Sequence, residues 1–114
     1  GTWDVILHTP DGFATECTRG NLVLQTAQGC ITPPLAQGLL PGTLREALLA
    51  RGTIREEPIP LQRLLQPQPH DTLWFINSVR GWLPITLRHQ GLRPHNDTHS
   101  TKIRGALPLH RLAC

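Results

Sequence analysis

Pro41-Gly42-Thr43-Leu44-Arg45-Glu46-Ala47-Leu48-Leu49-Ala50-Arg51-Gly52 is the stretch on which the fold turns. Strong helix formers fill its interior, Thr43 stands where a cap belongs, and Gly52 follows where a helix ends. Leu44, Leu48 and Leu49 recur at helical spacing, so one face of this helix turns to a core. No other stretch reads so clearly as a helix, and on either side the pattern becomes that of strands. Trp3-Asp4-Val5-Ile6-Leu7-His8 stops at Thr9-Pro10-Asp11-Gly12, where proline presets one turn position and glycine takes the positive-φ one. Phe13 to Cys17 is the returning strand of that hairpin. Residues 21–25 and Cys30-Ile31-Thr32 are further strands joined at Ala27-Gln28-Gly29. Pro33-Pro34 ends their ladder because neither residue donates a backbone hydrogen bond.

Beyond the helix, Ile54 to Ile59 alternates as an edge strand weakened by Pro58. Leu61, Leu64 and Leu65 mark a short helical turn cut off by Pro67. Thr72-Leu73-Trp74-Phe75-Ile76-Asn77 is nearly all apolar, as expected of a central strand covered on both faces, and Leu83 to Leu87 is the last apolar strand. Strands, one inserted helix, then strands again predict a mixed α/β or α+β domain. At 114 residues the chain fits one domain. Residues 1–87 form its body, and residues 88–114 are expected as a loop-like tail.

The formal charge is +3, but its distribution matters more than its size. Residues 1–87 set six arginines against seven acids, whereas residues 88–114 set Arg88, Arg93, Lys102, Arg104 and Arg111 against Asp97 alone. A basic tail without aromatic residues to stack bases argues against a nucleic-acid partner. No apolar run approaches the roughly 20 residues of a membrane span. The first residues lack the basic and apolar regions of a signal peptide, so no membrane partner and a cytoplasmic location are expected. Three cysteines, Cys17, Cys30 and Cys114, make a poor disulfide framework and are expected to be idle thiols. His89, His95, His99 and His110 crowd the tail without a cysteine or acid cluster, and no metal is assigned.

Three segments carry residues suited to a binding site. Glu16 lies within a strand, where a carboxylate either points to solvent or faces a buried cation. Leu39 to Arg45 turns tightly into the helix, whose free amides and dipole make an anion site, unless this is simply an ordinary helix start. Asn77-Ser78-Val79-Arg80-Gly81 follows the most apolar strand. There Ser78 offers a hydroxyl to an anion, and Arg80 offers a planar fork to a carboxylate or is a surface charge.

Taken in order, Asp11-Gly12, Glu16 and Asn21-Leu22 are followed by Thr32-Pro33-Pro34-Leu35. Then come Gly38, Leu40-Pro41-Gly42 and Arg45, and finally Asn77-Ser78-Val79-Arg80-Gly81 with Pro84. This series resembles the C-terminal domain of aminotransferase class IV proteins, the fold-type IV pyridoxal-phosphate (PLP) enzymes, over about residues 2–87. Within that family it is most similar to 4-amino-4-deoxychorismate lyases, especially the lyase part of fusions that follow an aminodeoxychorismate synthase component. The resemblance implies the C-terminal domain of the D-amino-acid aminotransferase-like fold, a mixed sheet or partial barrel with flanking helices.

It also implies site roles. Glu16 would face the pyridine nitrogen of pyridoxal 5'-phosphate, keeping the ring protonated. Leu40 would pack on the ring. Gly42 with the amides of Thr43 and Leu44 would hold the phosphate, and Ser78 would add a hydroxyl. Arg80 would take the substrate carboxylate, and Asn21 would brace the turn beside Glu16. Leu44 departs from members that place a threonine before the arginine. The lysine to which the family attaches the coenzyme falls upstream of this chain's start, and the only lysine here, Lys102, lies outside the matched region. The chain is therefore expected to be a fragment without its N-terminal domain. It should be inactive alone, hold the coenzyme weakly or not at all, and self-associate; a homo-oligomer is expected. The implied reaction of the parent is aminodeoxychorismate to 4-aminobenzoate and pyruvate in folate biosynthesis. The alternatives are a branched-chain or D-amino-acid aminotransferase, or a non-catalytic scaffold domain.

Overall fold

The computed structural model describes residues 3–87 and 100–105. Strands β1 (Trp3–His8) and β2 (Phe13–Cys17) form the expected antiparallel hairpin, with Gly12 at φ 91° in its turn. β3 (Gly20–Thr26) and β4 (Gly29–Thr32) follow, then a 3₁₀ turn (Leu35–Gln37) and helix α1 (Thr43–Arg51). The stretch expected as one edge strand divides at Glu57-Pro58 into β5 (Arg55–Glu56) and β6 (Ile59–Pro60). Helix α2 (Leu61–Leu65), β7 (Thr72–Asn77), β8 (Gly81–Leu87) and β9 (Ser100–Gly105) complete the described elements.

These strands form one sheet in the order β5-β4-β3-β7-β8-β9-β1-β2-β6, and β2 also pairs with β3. That extra pairing, Glu16 opposite Asn21 and Cys17 opposite Gly20, closes β3-β7-β8-β9-β1-β2 into a ring. The mixed sheet with partial-barrel character is thus observed, with one parallel pair, β4 and β5, at its margin. Ring closure passes through β9, which pairs antiparallel with both β1 and β8. Residues 100–105 therefore differ from the loop-like tail the sequence leads one to expect. The tail histidines His89, His95, His99 and His110 lie outside the described residues.

One apolar cluster, including Ile6, Leu22, Leu24, Phe75, Leu83 and Ile85, gathers with Leu61 and Leu64 of α2. A second forms where α1 sets Leu44, Leu48 and Leu49 against Val23, Trp74, Ile76 and Trp82. β7 supplies Phe75 to one cluster and Trp74 and Ile76 to the other, which explains its almost unbroken apolar run. Trp74 meets Trp82 edge-to-face at 5.6 Å and donates its indole N–H to Gln25 Oε1 at 3.1 Å. Cys17 is buried and its thiol donates to the Gly20 carbonyl at 3.2 Å, whereas Cys30, expected to be idle, is disulfide-bonded. Among the described residues no helix is long and apolar enough to cross a membrane.

α2 is fastened to the start of β7 by a two-pronged ion pair. Arg63 Nε donates to Asp71 Oδ2 at 2.8 Å and Nη2 to Oδ1 at 3.0 Å, and the Gln68 amide adds a third bond at 3.0 Å. Asp71's side chain is 2% exposed. The Arg63 guanidinium holds the Asp71 carboxyl below the usual carboxylate range, and the Gln68 amide assists. A depressed folded pKa stabilises the fold above the unfolded value of about 4, and that stabilisation is lost as pH falls through the depressed value. Asp71→Asn is expected to cost about 1–3 kcal/mol at pH 7. The difference from wild type should shrink as both are melted at decreasing pH below 5, and a constant difference across that range contradicts the assignment.

Candidate functional site

A cleft of about 350 Å³ lies between the β2–β3 turn, the end of β7 and the start of α1. β2 brings Glu16 to it and β3 brings Asn21, because these two residues face each other in the ladder. Glu16 is half-buried and accepts the Leu40 amide at Oε1, 3.2 Å away. A carboxylate inside this strand thus borders the cleft, bonded to a backbone amide rather than to a cation. Asn21 is buried; it donates from Nδ2 to the Leu40 carbonyl at 2.8 Å and accepts the Gly42 amide at Oδ1 at 3.2 Å. Two neighbouring strands thereby hold both ends of the Leu40-Pro41-Gly42 segment that leads into α1.

Gly42 leaves no room for a side chain, since a Cβ there would lie 2.5 Å from Asn21 Oδ1. Gly42→Ala is expected to dislodge the Asn21 amide and cost about 1–2 kcal/mol. Asn21→Ala removes the obstructing atom, so the double variant should lose clearly less than the two single losses combined. Denaturant midpoints of the three variants check this; strict additivity refutes the contact.

Gly42 is the N-cap of α1 and no side chain caps the helix. The first intrahelical bond runs from the Glu46 amide to the Gly42 carbonyl at 3.0 Å, leaving the amides of Thr43, Leu44 and Arg45 without an intrahelical acceptor. Thr43 is therefore not the cap its position suggested. It is the first helical residue, and its hydroxyl is hydrogen-bonded to that of Ser78 from the far side of the cleft. Leu40, 73% exposed, and Leu44 also border the cleft. Glu16, Asn21, Leu40, Gly42, Thr43, Leu44 and Ser78, all singled out in the sequence, thus meet in one place.

Arg80 does not. It sits exposed in the turn between β7 and β8, off the cleft lining, with its amide donating to Asn77 Oδ1 at 2.7 Å. Two residues without a predicted role prove structurally prominent. Asn77 captures the Val79 and Arg80 amides with Oδ1 and donates Nδ2 to the Arg19 carbonyl at 3.0 Å, tying the β7–β8 turn to the β2–β3 turn. Arg45 borders the cleft yet is 1% exposed. The cleft thus presents a carboxylate from β2 together with a helix start bearing free amides and two hydroxyls. This set suits a small ligand with a basic group and an anionic group.

The family model for amino-transferase class IV matches residues 1–87. Over 77 residues the chain is 44% identical to a candidate aminodeoxychorismate lyase of Schizosaccharomyces pombe, a match covering 68% of this chain and 33% of that protein. The fold superposes with a TM-score of 0.64 on a candidate amino-acid aminotransferase from Mesorhizobium loti, at 33% identity over 71% of this chain and 38% of that one. A candidate 4-amino-4-deoxychorismate lyase from Legionella pneumophila superposes with a TM-score of 0.61, at 25% identity over 69% of this chain and 30% of that one. The chain therefore spans about a third of the length of these relatives.

Proposed function

Because the chain belongs to the amino-transferase class IV family, we propose that it is the C-terminal, coenzyme-binding part of a PLP-dependent lyase converting 4-amino-4-deoxychorismate to 4-aminobenzoate and pyruvate. The observation that carries this reading is the convergence of Glu16 and the start of α1 on one cleft. The 44% identity to a candidate aminodeoxychorismate lyase favours that activity among those of the family.

Pyridoxal phosphate fits the donor set. A cleft of about 350 Å³ admits a small ligand. It combines a half-buried carboxylate, helix-start amides and two hydroxyls. When bound, the coenzyme supplies an electron sink for bond breaking in the substrate. Glu16 would hold a proton on the pyridine nitrogen, and the Thr43 and Leu44 amides would receive phosphate oxygens. The hydroxyls of Thr43 and Ser78 would compensate for the threonine that some family members carry at the Leu44 position. Leu40 would cover the ring, and Arg80 would reach the substrate carboxylate from the β7–β8 turn. Lys102, the only lysine, contributes its backbone to β9 and lies outside the family match, so the coenzyme-bearing lysine is assigned to the rest of the protein.

The whole protein is expected to release 4-aminobenzoate from aminodeoxychorismate in a coenzyme-dependent manner, and the 114-residue chain alone to release none. Bound coenzyme with transamination of a keto acid but no 4-aminobenzoate would remove the lyase reading and establish the transaminase one, which the Mesorhizobium loti likeness favours. Turnover by the isolated chain would contradict the assignment of the lysine.

A further inference from the structure

Helix α1 opens with a cation where a helix favours the opposite. The amino end of a helix is the positive end of its dipole, so acids are stabilised there and arginines are not. Arg45 nevertheless occupies the third helical position and is 1% exposed. Its Nη1 bonds Glu46, its Nη2 bonds Glu56, and Nη2 also donates to the Pro33 carbonyl at 3.1 Å. Both acids are partly open to water, at 49% and 41% exposure, and together they outweigh the single buried cation, so the part Arg45 plays is one of geometry. The Leu35 amide, 2.9 Å away, and the Arg45 guanidinium hold the Glu56 carboxyl below the usual range, so this balance of charge is constant at neutral pH. Nε is buried and without a partner among the described residues. Buried unpaired N–H groups are costly and rare, and they call for an explanation.

Arg45 borders the same cleft as Thr43 and Leu44. Through Pro33 and Glu56 it joins the first turn of α1 to the end of β4 and to β5. We propose that Arg45 is a positioning residue of the anion site. Its fork fixes the first turn of α1, so that the free amides of Thr43 and Leu44 hold the geometry that favours a phosphate ester over a neutral ligand of the same shape. This rests on the reading of the cleft as a coenzyme site and adds to it a residue that acts on the phosphate end alone.

The test compares pyridoxal 5'-phosphate with pyridoxal, which lacks the phosphate, by titrating each into the whole protein. Any contribution common to both ligands cancels in the ratio of their dissociation constants. Wild type should prefer the phosphorylated ligand, and Arg45→Met should reduce that preference about tenfold while pyridoxal binding changes by less than about twofold. Arg45→Lys, which keeps the charge but not the fork to Pro33, Glu46 and Glu56, should lose the preference nearly as much as Arg45→Met. Glu56→Gln keeps an oxygen that can accept both the Leu35 amide and Arg45 Nη2, so it should leave the preference within about twofold; it also serves if Arg45→Met does not fold. Equal weakening of both ligands by Arg45→Met, or a preference that falls in Glu56→Gln, overturns the proposal and leaves the coenzyme reading standing. A wild type with no preference for the phosphorylated ligand defeats both.

Discussion

Glu16→Gln in the whole protein is expected to lower turnover about 10²–10³-fold with little change in stability. Glutamine occupies the same space and retains an oxygen that can accept the Leu40 amide, now at 3.2 Å, so the 40–42 segment keeps its support. Only the charge is lost. In the proposed site that charge keeps the pyridine nitrogen protonated, and a neutral amide cannot hold that proton. Coenzyme binding should fall far less than turnover, because the phosphate contacts at α1 do not involve Glu16. Turnover rates and thermal melts on one preparation separate the effects. Unimpaired turnover would mean that Glu16 faces no ring nitrogen, and a large drop in melting temperature would make its role structural.

Gly20→Ala is expected to be the most damaging glycine substitution for the fold, costing at least about 2 kcal/mol. A Cβ on Gly20 would lie 2.4 Å from the Ile76 carbonyl oxygen and 2.7 Å from Phe75 Cδ2. The oxygen is backbone in β7, held in the ladder where Asn21 faces Ile76, so it cannot swing aside as a flexible side chain would. Relief requires β3 and β7 to separate, and their contact carries both the ring of strands and the cleft. Gly38→Ala provides the contrast. Its φ of 92° is unfavourable for alanine, but nothing lies within 4 Å, so about 1 kcal/mol is expected. Denaturant midpoints should rank Gly20→Ala well below Gly38→Ala, and a reversed order would refute the close approach of β3 and β7.

The elements that could be read from the sequence are those whose signals are local. The Pro-Asp-Gly turn, the helix ending at Gly52 and the apolar run of β7 each specify themselves within a few residues. β9 was not legible, because Ser-Thr-Lys-Ile-Arg-Gly carries no clear apolar alternation and becomes a strand by filling the gap between β8 and β1. Closure of the ring through Glu16 and Asn21 is likewise a long-range property. At the site, motif order brought out Glu16, Asn21, Gly42, Thr43 and Ser78, which the fold assembles from segments far apart in the chain. Thr43 was misread as a cap because its hydroxyl is engaged by Ser78, 35 residues away. Arg45 appeared only as the end of a motif, since nothing in a helical pattern reveals that a charged side chain is buried among Pro33, Glu46 and Glu56.

A structure of the whole protein with pyridoxal 5'-phosphate bound tests the central claim most directly. A Glu16 carboxylate oxygen should lie about 2.6–2.9 Å from the pyridine nitrogen while the phosphate oxygens meet the amides of Thr43 and Leu44. A coenzyme whose phosphate sits away from the start of α1, or whose ring nitrogen faces a group other than Glu16, would contradict it.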